Sequence, residues 1–520
     1  MVRIVVINAV IHSLTSALGP ASVVTEDAAL ELVRHDVFTS AAAPICIVRP
    51  HDIAALQQAV KICAAAHVPM VPRGGGASYT DGYLFPRGGH VLFDLAGLDF
   101  IEVDHVNAQV RVGSGTTWAN LKATLDPLGL RTPFWGPFSG IAATVGGSIS
   151  QNTISHGSGR HGISAQSVLG IEVVLADGEL LNTAASKATR FFGPDLTGLF
   201  TGDCGAFGLK AAVTLPLLKA QPAFEAISFA CPTLQDYHAL VSKASLEQLD
   251  DSHFGVDLAL SQGQIGKQAG ISAKIGIARG IIRTAPSLYA GLKQLLRMAA
   301  AGEDALRAAN YMAHFIVEGT DSSEVAAKAA RIRQIAAPHS TEIANTTPAF
   351  VRAMPFAPLY NILGPKGERW VPIHGILTHD RVSAFHEQFV QFLSDRWEFM
   401  EANGIWVGTM FSSVGATGFL YEVAIYWPDA RTAFHDTVLD ADYLSNIPAY
   451  PPSDEKRSAV HRFKQELIDL LRLNDAAFFQ IGRAYPYFDR LDPTARALVL
   501  ATKAALDPHN LMNPTALGLD

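Results

Sequence analysis

At 520 residues, with 49% hydrophobic and 17% charged residues, the chain is too long for one ordinary core and too apolar to be disordered. A net charge of −8 and the lack of any lysine or arginine run exclude a nucleic-acid-binding surface. Four scattered cysteines (Cys46, Cys63, Cys204, Cys231) form no CxxC pair, which argues against a disulfide framework or structural zinc and for a cytoplasmic enzyme with reduced thiols.

Met1–Ile7 opens like a signal peptide, but Asn8 and His12 interrupt the apolar core and no small-residue cleavage site follows. It reads as ordinary N-terminal structure, with export as the alternative. No apolar stretch reaches the roughly eighteen residues of a membrane span. Ile45–Val48 is expected to be a strand, followed by a helix that Asp52 caps and whose apolar face is Ile53, Leu56, Val60 and Cys63. Val68–Val71 completes a βαβ unit. Val91–Leu95 is another strand, and Phe100–Val103 with Gln109–Val112 reads as a hairpin. A helix over 117–125 starts at a Thr cap. Ile171–Leu175 and Glu179–Leu181 form a strand pair across Asp177-Gly178, and Phe207–Leu215 closes this half. Beyond Pro216, strands at Ala226–Phe229 and Leu420–Trp427 alternate with helices over 234–246 and around Phe385, Phe389 and Phe392. A last helix over 494–506 stops at Asp507-Pro508.

Two glycine clusters carry the chemistry. Arg73-Gly74-Gly75-Gly76-Ala77-Ser78 leaves a β-type run with no Cβ where the chain turns, so its bare N–H groups can converge on an anion. In Gly140–Gly147 the small residues Ala142, Ala143, Gly146 and Gly147 permit close backbone approach, while Ser148, Gln151 and Asn152 offer hydrogen bonds. His156–Gly162 is a third flexible stretch, in which His156 and His161 are either polar loop residues or functional ones.

With Ala176-Asp177-Gly178, Asp195–Phe200, Lys503–Pro508 and Asn513-Pro514, these loops make the chain resemble the vanillyl-alcohol oxidase/para-cresol methylhydroxylase superfamily of FAD enzymes, from about residue 41 to 518. The resemblance implies an α+β fold with a discontinuous, two-subdomain FAD-binding domain (residues 1–220 and 476–520) and an inserted α/β substrate cap (221–475). It implies cofactor contacts from Pro72, Arg73, Gly74, Gly75, Gly76, Ala77 and Ser78. The second stretch adds Pro137, Gly140, Ala143, Thr144, Gly146, Gly147, Ser148 and Asn152. Gly159, His161, Gly162, Ile171, Val173 and Asn513 complete the set. Relatives often bond the flavin through a histidine after the glycine triplet, or a cysteine in the second loop. Ala77 and Ala142 stand there, so FAD is expected to be non-covalent and no metal is expected.

Oxidation of an alcohol needs a proton acceptor beside the flavin. His374, Tyr421, Glu422 and His161 are the candidates. Against His374 stands a structural histidine, and against Glu422 a strand with one solvated face. Arg483 is placed to hold an anionic substrate group or the reduced flavin, or to be a surface arginine. Phe350, Phe356, Tyr360, Trp370, Trp406, Phe411, Tyr426 and Trp427 suit a bulky apolar substrate, although aromatics also build cores. Tyr79 and Tyr83 are further ring contacts. The phenol-oxidising subgroup's tyrosine and aspartate are replaced by Gly482 and, near the flavin, Ile163.

The expectation is oxidation of an aromatic or otherwise bulky alcohol by hydride transfer to the flavin, with O2, a quinone or a cytochrome as acceptor and a homodimer as the compatible assembly. A D-2-hydroxy-acid dehydrogenase of the same superfamily is the first alternative; it lacks support from any His-rich metal run. A flavin-binding protein without turnover is the second.

Overall fold

β-branched runs and one capped helix build the N-terminal sheet. The computed structural model describes residues 2–184, 193–264 and 309–520, with Arg190 and a few positions between 279 and 296. Strands Cys46–Val48, Val91–Asp94 and Met70–Arg73 lie parallel in that spatial order, with Val23–Val24 at the edge. Asp52 caps the helix Ile53–Ala65 by accepting from the Ala55 N–H, and Leu56, Val60 and Cys63 are fully buried beneath it. The two strands of the expected βαβ unit are not neighbours, because Val91–Asp94 sits between them. Its unbroken buried run suits the central place in a parallel sheet. The N-terminal residues form the helix Val2–Leu18, whose Val10 and Leu14 share a core with Leu56 and Val60.

The second sheet is antiparallel and runs Ile101–Asp104, Gln109–Gly113, Leu209–Pro216, Gly170–Val174, Leu180–Asn182. The C-terminus returns to the first sheet. Asp507 ends the helix Pro493–Leu506, pairs with Lys503 at 2.6 Å and accepts from the Leu511 and Met512 N–H groups at 2.8 and 2.7 Å. Thus steered, Met512 runs beside Met70: the Met70 N–H donates to Leu511 and the Asn513 N–H to Met70.

Between these parts stands a seven-stranded sheet in the order Thr341–Ile343, Ala223–Cys231, Tyr311–Gly319, Ser252–Asp257, Trp406–Val414, Gly418–Trp427, Arg369–Leu377, with every neighbouring pair antiparallel. Side chains alternate across it. In Gly418–Trp427, Phe419, Tyr421, Val423, Ile425 and Trp427 are fully buried with helices Leu234–Leu246, Val382–Asp395 and Asp454–Leu473. Leu420, Glu422, Ala424 and Tyr426 turn the other way, toward a cavity shared with the glycine loops. Both faces of the strand are therefore covered, and the solvated face expected for Glu422 does not exist.

Candidate active site

The strand Met70–Arg73 delivers the glycine triplet to the rim of a cavity of about 320 Å³. A Cβ on Gly74 would lie 2.4 Å from Thr144 Oγ1, and one on Gly75 would lie 1.7 Å from the Ala142 carbonyl oxygen. Gly76 has φ +72°, a backbone shape that favours glycine. The two loops are thus packed backbone to backbone, which only missing side chains allow. Among the described residues no hydrogen bond is donated by the backbone N–H groups of Gly75, Gly76, Ala77 or Ser78. Such a row of open donors has the form of a nest suited to an anion.

The second loop works differently. Its Ala142 and Ala143 N–H groups donate to Ser139, Val145 donates to Thr116, and Gly146 to Ser114. Thr144 caps the helix Val145–Gln151 through the Gly147 N–H. Its donors are spent on its own fold, so it supplies a close wall and not a second nest. Two buried hydroxyls on the cavity wall, Ser114 Oγ and Ser155 Oγ, have no partner. Open backbone donors beside unpartnered hydroxyls fit a long cofactor with a pyrophosphate, which is what FAD requires.

Of the expected cofactor contacts, Pro72, Gly74, Gly75, Gly76, Ala77, Ser78, Pro137, Ala143, Thr144, Gly146, Gly147 and Ser148 line the cavity. The rest do not. Arg73 packs its guanidinium over the Tyr83 ring, 5.4 Å from its centre, and beneath Gly76. Gly140 gives room to Phe356, whose ring would meet a Cβ at 2.5 Å. Asn152 takes the left-handed conformation that ends its helix. Gly159 and Gly162 serve a local turn, against His253 and Gln166. Ile171 and Val173 point into the core of the antiparallel sheet. Asn513 is a latch. Its amide donates to the Gly82 and Cys204 carbonyls at 3.1 and 2.6 Å and accepts from Arg483 at 2.7 Å.

The catalytic candidates need correction. Tyr421 faces the opposite core and bonds its hydroxyl to His386 Nδ1 at 2.9 Å, because strand alternation carries odd positions away from the cavity. Arg483 is used up structurally: it donates to Thr515, Asp81, Asn513 and Pro514 at 2.6 to 2.7 Å, leaving no arm for a substrate. His374 shares the cavity face but is sealed below it. Its ring stacks on Phe479 at 4.1 Å, and burial lowers its pKa to about 3. His161 ends the short helix Ser158–His161, outside the cavity lining, and burial lowers its pKa.

The far wall is the seven-stranded sheet. Phe254, Trp370, Met410 and Tyr426 make it broadly apolar, Phe434 from the helix Ala433–Val438 and Phe479 from the C-terminal segment extend it, and Tyr79 and Tyr83 lie beside the glycine loop. Phe411 and Trp427, by contrast, are core residues behind the sheet, and Trp406 stacks on Tyr426 at 3.8 Å. Within the described lining the one carboxylate is Glu422, and burial pushes its pKa up to about 7. The one lysine is Lys210, which is buried in an ion pair with Asp203. No arginine is present in that lining. Glu422 was legible as a period-two position in the strand, but its face was not.

The geometry is that of a glycine-lined cavity facing a seven-stranded antiparallel sheet. Residues 44–184 match the family model described as an FAD binding domain. Over those residues the chain is therefore similar to an FAD-binding domain. p-Cresol methylhydroxylase itself, at 16% identity, superposes over 99% of this chain and 97% of its own with a TM-score of 0.70. 4-Ethylphenol oxidase from Gulosibacter chungangensis, at 14% identity, covers 98% of this chain and 97% of its own with a TM-score of 0.65. These likenesses establish the fold. In sequence, the glycolate oxidase subunit GlcD of Bacillus subtilis is 30% identical over 218 residues, which is 40% of this chain. The match spans 46% of that relative, somewhat under half its length.

Proposed function

We propose that the protein is an FAD-dependent oxidoreductase that oxidises the CH–OH group of a bulky, aromatic or otherwise apolar alcohol. O2, a quinone or a cytochrome would reoxidise the flavin. The observation that carries this reading is one continuous cavity running from the open N–H groups of Gly75–Ser78 to the aromatic cap wall. The division into an FAD-binding part (1–220 and 476–520) and a cap (221–475) belongs to the same proposal.

Gly75–Ser78 would hold the pyrophosphate, with Ser114 and Ser155 meeting polar atoms further along. FAD, when bound, supplies an acceptor for a hydride. The apolar wall around Trp370, Tyr426 and Phe434 orients the alcohol and excludes water, which strengthens each remaining polar contact. Attachment is non-covalent in this reading, since Ala77 and Ala142 offer no nucleophile. Acid precipitation should leave the yellow colour in the supernatant; a yellow pellet overturns that part.

A second reading, oxidation of a D-2-hydroxy acid, is favoured by the sequence relatives, which include the glycolate oxidase subunit and an Arabidopsis thaliana D-lactate dehydrogenase at 30% identity over 177 residues. Those matches cover 40% and 34% of this chain. Against this reading, a substrate carboxylate would need a cation, and the cavity's lysine is committed to Asp203 while Arg483 is saturated. Anaerobic mixing decides: aromatic alcohols should bleach the flavin band while glycolate and D-lactate leave it. The reverse pattern selects the hydroxy-acid reading, and no bleaching by either leaves a flavin-binding protein.

A further inference from the structure

Resting on that functional reading, we propose that Glu422 is the catalytic base that takes the hydroxyl proton of the alcohol. Each other titratable group lining the described cavity is already occupied or held in the wrong state. His156 bonds its Nε2 to the Pro355 carbonyl at 3.0 Å and stacks on Trp135 at 4.2 Å. Both nitrogens of His253 are engaged, Nδ1 with Asp250 at 2.8 Å and Nε2 with Ser413 at 2.9 Å. The Cys204 sulfur accepts from the Gly482 N–H at 3.3 Å, and Lys210 is tied to Asp203. Burial raises the phenols of Tyr79, Tyr83 and Tyr426, so they stay protonated and cannot accept.

Glu422 is different in kind. It stands in the middle of an otherwise apolar strand, Gly418–Trp427, on the cavity face between Leu420 and Ala424. Its side chain is 16% exposed and takes part in no hydrogen bond among the described residues. An unpartnered carboxylate in such a place costs stability, and a cost of that kind is commonly retained for function. The titratable groups facing it are His374 on the neighbouring strand, with Nδ1 at 4.0 Å, Tyr426 on its own strand, Tyr79 from the glycine-loop side and Tyr485 from the C-terminal segment. All four are neutral at pH 7, since burial lowers the imidazole and raises the phenols. With no cation to hold it ionised, Glu422 titrates close to neutrality, where a general base works best.

The step balances with FAD as oxidant. The O–H bond breaks and its proton passes to a Glu422 oxygen. The C–H hydrogen leaves with its electron pair to the flavin. The alcohol carbon is thereby oxidised to a carbonyl and the cofactor reduced by two electrons.

The test uses the holoenzyme and its Glu422→Gln variant, with benzyl alcohol and ring-substituted benzyl alcohols as probes. Rapid-mixing flavin bleaching is followed anaerobically across pH, and the protonated-carboxyl infrared band is titrated without substrate. In the wild type, bleaching should quicken as pH rises through about 7, in step with loss of that infrared band. In Glu422→Gln, FAD should bind as before, the titrating band should lose its Glu422 component while that of buried Asp36 persists, and bleaching should slow by roughly 100-fold or more. Glu422→Asp should recover part of the rate. If Glu422→Gln bleaches at the wild-type rate, or the infrared titration is unchanged, the base assignment is overturned while the alcohol reading stands. If no alcohol bleaches the wild type, both fall together.

Discussion

Replacing Gly75 by alanine tests the packing of the two loops. The new Cβ would sit 1.7 Å from the Ala142 oxygen and 2.6 Å from its carbonyl carbon. Both are backbone atoms, so no side-chain rotation relieves the contact, and the loops must part by roughly 1.5 Å to reach van der Waals distance. Small-to-large changes at such points cost about 1–3 kcal/mol. Because the same shift spreads the N–H groups of Gly75–Ser78, FAD affinity should fall by roughly 10–100-fold, equivalent to about 1.4–2.8 kcal/mol. The assay is FAD titration of apoprotein by quenching of flavin fluorescence, with thermal unfolding in parallel. Wild-type affinity and melting temperature in Gly75→Ala would refute the argument that these loops hold each other in place.

Asn513→Ala removes two bonds to the Gly82 and Cys204 carbonyls and leaves Arg483 Nη2 with the Pro514 carbonyl in place of two acceptors, so it should cost about 2–4 kcal/mol in thermal or denaturant unfolding. Arg483→Lys should lower stability while leaving the KM for alcohols unchanged; a raised KM alone would restore a substrate role. Glu422 carries a native pKa of about 7 against an ordinary 4.5, so the native state binds more protons than the unfolded one and stability falls as pH rises through that window. Glu422→Gln should therefore melt higher than wild type at alkaline pH, by up to about 3 kcal/mol, and equally at acid pH. The buried histidines act in the opposite direction. His156 and His314 are lowered by burial to about 4 and about 3, so stability they contribute above pH 6.5 is lost as pH falls through those values. A melting temperature flat between pH 6.5 and 3 would contradict their burial.

Local order in this chain is written in the sequence. Asp52 caps the helix Ile53–Ala65, the hairpin around Asp104–Asn107 pairs as its alternation requires, and Asp507-Pro508 ends the last helix. Each rests on contacts within a few residues, where propensity and capping act directly. The glycine triplet was equally readable, because a run without Cβ atoms has few uses except close backbone approach. What the strand pattern left open was which neighbour covers each face. Alternation separates Tyr421 from Glu422, yet both faces of their strand are covered, one by helices and one by the cavity, so the polar position is enclosed and not solvated. Arg483 and Asn513 likewise look available one at a time, and only the return of the C-terminus to Met70 locks them against each other. Residue chemistry and spacing thus determined that two glycine loops approach closely enough to leave a row of backbone N–H groups open to a cavity. Which carboxylate faces the cavity, and which arginine is spent holding the chain together, depends on contacts between segments hundreds of residues apart, and the tertiary structure alone decided it.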